Sequence, residues 1–324
     1  VERSALRALA DEVSVIAQRA SQRSAGYCRN KKLCVKLNHD AGAHLPRAIE
    51  IISPLFSRYI LNRLSLLPMK KFFLIFLLLS YSVSQAQERP DYRLGAFQVG
   101  EKLKYKVRYG FVNAAEVTFQ VNDAKKEFNG NKTFHYVASG KTTSSFDFFM
   151  KVRHRYDSYA DQAQLLPYQF TESVREGNYK RDSYANFDHK SNKVVASKGT
   201  FNTPDNIFDI ISLYYFARCI DIRDMRVGET LNLKYFLDDG VYPANIEYLG
   251  KETVSTETGK YECIKFSPAL QPGRVFRKDS RMYIWITNDA NRIPVKVEVE
   301  ILIGSVILEL QNFEGLKNPI TAKR

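Results

Sequence analysis

The stretch VKVEVEILIGSVILELQNF, Val295–Phe313, decides the fold. Val295, Val297, Val299 and Ile301 alternate with Lys296, Glu298 and Glu300, and Ile303 continues the series. That is the period-two signature of a half-buried strand. Gly304 and Ser305 supply a two-residue connection, with glycine suited to the first position of a type II′ turn. Setting Val306 against Ile303, Leu308 against Ile301 and Leu310 against Val299 keeps the inward face apolar on both strands. The stretch therefore predicts an antiparallel hairpin.

The same alternation recurs upstream. In KLKYKVRY, Leu103, Tyr105, Val107 and Tyr109 take one face, while Lys102, Lys104, Lys106 and Arg108 take the other. The basic face reads as a solvated sheet surface in preference to a polyanion site. Val117, Phe119 and Val121 resume the pattern after a short turn, giving a second hairpin. RMYIWIT differs: Tyr283 and Trp285 oppose Met282, Ile284 and Ile286, so the strand is apolar on both faces and must be covered twice, by a helix or by a ligand. Turn signals at Asn129–Asn131, Asp188–Asn192, Asp238–Gly240, Thr256–Lys260 and Asn288–Arg292 separate further short strands. TPDNIFDIISLYYFARCI is the exception. Thr203 offers a cap, Pro204 a first helical position, and Ile207, Ile210, Ile211, Tyr214 and Tyr215 a helical stripe ending near Arg218. The reading is an all-β, mainly antiparallel fold, with one amphipathic helix packed on the concave side of a curved sheet.

An export signal lies inside the chain. Met69 is followed by Lys70 and Lys71, an apolar run over Phe72–Val83, and Ser84-Gln85-Ala86, which predicts cleavage between Ala86 and Gln87. The run is too short for the roughly 20 residues of a membrane-spanning helix. No cysteine follows the cleavage point to take a lipid anchor. Residues 1–68 are rich in Arg, Ser and Ala and show little periodicity. The simplest account is an upstream start, with a GTG codon giving Val1 and translation beginning at Met69; a genuine N-terminal domain is the alternative. Residues 87–324 then form a single β-rich exported domain with no membrane span. The formal charge of +13 shrinks under this division. Of 48 basic and 35 acidic residues, 11 and 5 lie in residues 1–68 and two lysines in the signal, leaving 35 against 30, or +5. That is ordinary surface charge, so nucleic acid is not an expected partner. Cys219 and Cys263 remain in this domain, either as a disulfide or as two buried free thiols.

Motifs for chemistry are lacking. SGKTT at Ser139–Thr143 has His135 where a phosphate-binding loop needs glycine, and it sits in a strand. His135, His154 and His189 have no metal-ligand spacing, and no nucleophile elbow occurs. Asp238 with Asp239, and Glu172 with Glu176, read as turn and surface carboxylates. No catalytic residue, cofactor or metal is expected.

FDIISLYYFAR (Phe208–Arg218), FSPALQPGRVF (Phe266–Phe276) and IWITNDANRIPVKVEVEILIGSVILEL (Ile284–Leu310) together resemble exported bacterial proteins of domain-of-unknown-function family 3108. Leu103–Tyr109 and FFMKVRHRYDSYAD (Phe148–Asp161) fit that family's N-terminal half. The resemblance implies a periplasmic or envelope location in a Gram-negative bacterium of Bacteroidetes type, and implies no activity. The pattern also resembles the half-open β-barrel of periplasmic lipoprotein and lipid carriers. The leading expectation is a non-enzymatic envelope protein binding a lipid-like or amphipathic ligand. Its candidate contacts are Tyr214, Tyr215, Tyr283 and Trp285, with Arg218 or Arg274 at an anionic head group. A filled-core module that binds an envelope protein partner is the second reading, and a glycan hydrolase the third.

Overall fold

In the computed structural model, residues 89–128, 130–270, 279–301 and 304–324 are described. Residues 1–68, the signal at 69–86, its Ala86–Gln87 cleavage point and Arg274 lie outside them.

The alternating segments all become strands of one antiparallel sheet. Its first run is β1 (Lys102–Tyr109), β2 (Val112–Asp123), β3 (Thr133–Thr142), β4 (Val152–Asp161), β5 (Pro167–Glu176), β6 (Tyr179–Asp188), β7 (Lys193–Ala196) and β8 (Gly199–Asn202). The second is β9 (Thr230–Leu237), β10 (Gly240–Thr256), β11 (Gly259–Pro268), β12 (Met282–Thr287), β13 (Pro294–Glu300) and β14 (Ser305–Glu314). Each run is a meander, and β1 pairs with β14 to join them, so the edges of the 14-stranded sheet are β8 and β9. Two helices interrupt the strands: α1 (Ser144–Asp147) and α2 (Ile210–Cys219), the latter in the connection between the edge strands.

Laid flat, fourteen strands would span roughly 60 Å at the usual inter-strand spacing. Here the two edges meet through side chains: Phe236 of β9 lies 5.4 Å from the Phe201 ring of β8, Lys198 pairs with Asp239 at 3.0 Å, and Arg181 with Asp238 at 3.2 Å. The sheet therefore curls on itself without backbone closure. Tyr136, Phe170, Phe187, Val194 and Phe236 from its inner face enter one core cluster with Tyr215 and Phe216 of α2.

The basic face of β1 is paired. Lys106 bonds Glu257, Arg108 meets Glu309 at 2.7 Å, and Lys104 reaches Glu314 at 3.7 Å, which satisfies those cations within the sheet.

Two local expectations are corrected. The C-terminal hairpin forms, but Glu300 faces Ser305, Val299 faces Val306 and Val297 faces Leu308. The connection is four residues, 301–304, with Gly304 in the left-handed region at φ 80°. A shift of an even number of residues leaves the same side chains on the same face, so alternation alone does not distinguish the two registers. The observed one sets Lys296 against Glu309, an opposite-charge cross-strand pair. Helix α2, in turn, begins at Ile210 and not near Thr203. Asp209 accepts hydrogen bonds from the backbone N–H groups of Ile211 and Ser212, while the Ser212 hydroxyl accepts from the Asp209 N–H. This reciprocal cap outcompetes the proline signal.

Cys219 and Cys263 are buried free thiols in separate core clusters. Burial pushes both up in pKa, Cys263 to about 12, so neither is a ready nucleophile.

Candidate functional site

Between α2 and the second meander the core does not fill. A cavity of about 430 Å³ is walled by Ile210, Leu213, Tyr214 and Ala217 on the helix. Opposite them stand Leu231 and Tyr235 of β9, Ala244 and Ile246 of β10, Phe266 of β11, Met282, Ile284 and Ile286 of β12, Val297 of β13 and Leu308 of β14. Tyr105 and Phe119 complete the side nearest β1. Apolar side chains dominate the wall, and its charged residues among those described are Arg218 and Arg292. The buried hydroxyls of Tyr105 and Tyr214 have no hydrogen-bond partner among the described residues. Burial raises both phenol pKa values, keeping them neutral donors.

Of the residues singled out in the sequence, Tyr214 lines this cavity, packed 4.8 Å from the Phe119 ring. Tyr215 does not. It is fully buried away from the cavity, stacked at 4.0 Å on Tyr136 and 4.9 Å from Phe97. Tyr283 and Trp285 also fall on the wrong side of their strand. Because β12 alternates, the cavity receives Met282, Ile284 and Ile286, and the aromatic pair takes the opposite face. There Lys265 lies over both rings, at 4.7 and 4.8 Å, Lys296 lies 4.7 Å from the Trp285 ring, and the indole N–H donates to Glu252. The long stems of these lysines cover part of that second apolar face, and Trp285 also joins a buried hydrophobic cluster with Tyr261, Cys263 and Val295.

Arg218 reaches the cavity wall with its guanidinium already committed. It forms a two-pronged ion pair with Glu101 at 2.6 and 2.8 Å, and donates to the carbonyls of Ala96 at 3.1 Å and Asn291 at 2.9 and 3.2 Å. Arg218 and Glu101 are 3% and 1% exposed. Burial opposes the Arg218 charge, but Glu101 and the surrounding tyrosines more than offset it, so its pKa is raised. The residue ties the end of α2 to the lead-in of β1 and to the β12–β13 turn; it is not a free head-group contact. No sequence signal linked Glu101 to Arg218, which are 117 residues apart.

Arg292 is the cation that sequence reading missed. It stands in the turn Asn288–Arg292, and one guanidinium N–H donates to the carbonyl of Ile220, just past α2. Burial lowers its pKa, with the charge of Asp221 working in the opposite sense.

A second cavity, of about 330 Å³, is lined by Asp157, Glu172 and Asp182 together with Ser and Thr residues. Each carboxylate there is held by a cation: Asp157 by Arg155 at 2.7 Å, Glu172 by Arg181 at 2.5 Å, and Asp182 by Arg175 at 2.8 Å. Hydrogen bonds from neighbouring cations and polar groups hold Asp157 and Asp182 below the usual carboxylate range, the opposite of what a general acid requires. Among the described residues no cluster of His, Cys, Asp and Glu could hold a metal ion, and no helix is long and apolar enough to cross a membrane.

Three solved structures are similar in fold. A β-barrel-like protein of domain of unknown function 1849 from Brucella abortus is 10% identical with a TM-score of 0.47, covering 69% of this chain and 99% of its own. A candidate exported protein with a YmcC-like fold from Bacteroides fragilis is 15% identical with a TM-score of 0.32, covering 67% and 97%. A candidate lipoprotein from Parabacteroides distasonis is 11% identical with a TM-score of 0.31, covering 70% and 100%. No curated protein matches the sequence. The family model described as "Protein of unknown function (DUF3108)" matches residues 104–311, from the first strand to the last and well over half of the sequence, and the chain therefore belongs to the DUF3108 family.

Proposed function

We propose that this protein is a non-enzymatic binding protein of the bacterial cell envelope, holding a lipid-like or amphipathic ligand beneath α2. The observation that carries this reading is the cavity of about 430 Å³ with its apolar wall. Its size falls in the range of small-molecule sites, roughly 300–1,000 Å³. Export rests on the signal anatomy of residues 69–86. The filled-core alternative needs the space beneath α2 to be packed. The glycan-hydrolase alternative needs a protonated carboxylic acid, whereas the carboxylates of the second cavity are ion-paired.

The test is native mass spectrometry of protein purified from its own envelope, followed by denaturation. A chain starting at Gln87 that releases a non-covalent lipid is the expected result. A protein that carries nothing, and also fails to bind the neutral probe N-phenyl-1-naphthylamine, would overturn the binding role.

A further inference from the structure

The ligand's chemical class follows from Arg292. Among the described residues, both charged side chains on the apolar wall are arginines, and the wall includes no carboxylate. Arg218 is neutralised by Glu101. Among the described residues Arg292 has no ion pair, and its one hydrogen-bond acceptor is the Ile220 carbonyl, so most of its five N–H donors stay available.

Its position is fixed. Asp289 accepts from the N–H groups of Asn291 and Arg292 at 3.0 and 3.3 Å, and the Thr287 hydroxyl accepts from the N–H of Ile293 at 2.9 Å. This turn holds Arg292 in the left-handed region at φ 47°. A glycine or asparagine would adopt that backbone more readily, so the turn itself does not call for arginine. Strain of this kind persists where the surrounding structure over-determines it, and it clusters at ligand clamps.

Arg292 also lies on a boundary. A further cavity, of about 560 Å³, shares Arg218, Ile222 and Arg292 with the apolar one. It is lined in addition by Arg93, Arg223, Lys251, Asp221 and Asp289, so cations outnumber carboxylates. Asp221 is itself engaged by Arg223 at 2.6 Å and Arg93 at 3.3 Å. An apolar chamber, a half-buried unpaired cation and a polar basic chamber therefore adjoin.

We infer that the ligand is an anionic amphiphile whose tail lies beneath α2 and whose oxyacid head group, carboxylate or phosphate, is bound by Arg292. This rests on the binding role proposed above. A planar guanidinium suits either head group through paired N–H donors, and partial burial strengthens the bond relative to water.

The experiment displaces N-phenyl-1-naphthylamine from the protein with decanoate, decyl phosphate or 1-decanol, all below their micelle concentrations. In the native sequence one or both anions should compete about tenfold or more better than decanol, the scale of one charge-assisted hydrogen bond. Which anion is stronger identifies the head group. Arg292→Gln should bring anions and alcohol to within about threefold while still binding the probe, and Arg292→Lys should keep part of the preference. Equal competition by anions and alcohol in the native sequence overturns the inference without needing any variant. A preference that survives in Arg292→Gln overturns it too. Absence of probe binding removes the cavity role and this inference together.

Discussion

Helix α2 divides the interior into two unlike regions. On one side Tyr215 and Phe216 meet Tyr136, Phe97 and Phe208, rings against rings at 4.0 to 4.9 Å. On the other, Ile210, Leu213 and Ala217 face Ala244, Ile246, Ile284 and Val297 across open space. One sheet, curled around one helix, supplies both. The difference lies in how side chains meet: on the first side aromatic rings from helix and sheet interlock, whereas on the second the Ile, Leu and Ala side chains of the helix do not reach the strands opposite, and the rings of the wall stand around the space without filling it. A cavity in this fold is therefore a matter of which residues occupy the wall, and substitution should be able to open or fill it.

The strongest perturbation should be one that both regions share. Arg218→Met strands the buried Glu101 carboxylate and should cost about 3–5 kcal/mol, read by urea or guanidinium unfolding. Within the packed region, Phe216→Ala should cost about 3–5 kcal/mol. Ile284→Ala on the cavity wall should cost only about 1–2 kcal/mol, because that side chain already lacks neighbours on one side. Equal losses at the two positions would show that the regions are packed alike. Filling the space is the converse test. Ala217→Phe should change stability by no more than about 1 kcal/mol, less than overpacking a dense core, yet abolish fluorescence of the bound naphthylamine probe.

The smallest effect concerns acid. Hydrogen bonds from Arg223, and its charge, hold Asp221 down to about 2 from an ordinary 3.8. A carboxyl depressed on folding adds stability above its unfolded pKa and loses it as pH falls through the folded one. The midpoint of thermal unfolding should therefore drop between about pH 4 and pH 2, and Asp221→Asn should shrink that drop. An unchanged pH profile in the variant would show that Asp221 is not linked to folding.

How much of this was legible in sequence depends on which signal carried it. Strands such as Lys102–Tyr109 announced themselves because apolar side chains, Leu103 and Tyr105 among them buried, alternate with charged ones on the opposite face. Pairing of β1 with β14 left no local trace, since its contacts are far apart in the chain. On β12 alternation showed two apolar faces but not which one met the cavity. The aromatic face looked like the binding face, and the lysines that cover it belong to neighbouring strands. Arg292 was read only as part of a turn, because its exposure to the cavity depends on where α2 ends.

The seam between β1 and β14 has a consequence for how the chain is made. Its Arg108–Glu309 bond closes a span of 201 residues. While the ribosome is still extending the chain, β1 keeps one bare edge, and β13 keeps another once it forms. Every other neighbouring pair in the sheet is consecutive in sequence and can zip up as it emerges. Long-range pairing of this sort is slow and leaves strand edges open to association with other chains. A chain kept unfolded until synthesis is complete would avoid that hazard, because β1 would then meet its partner as soon as folding begins.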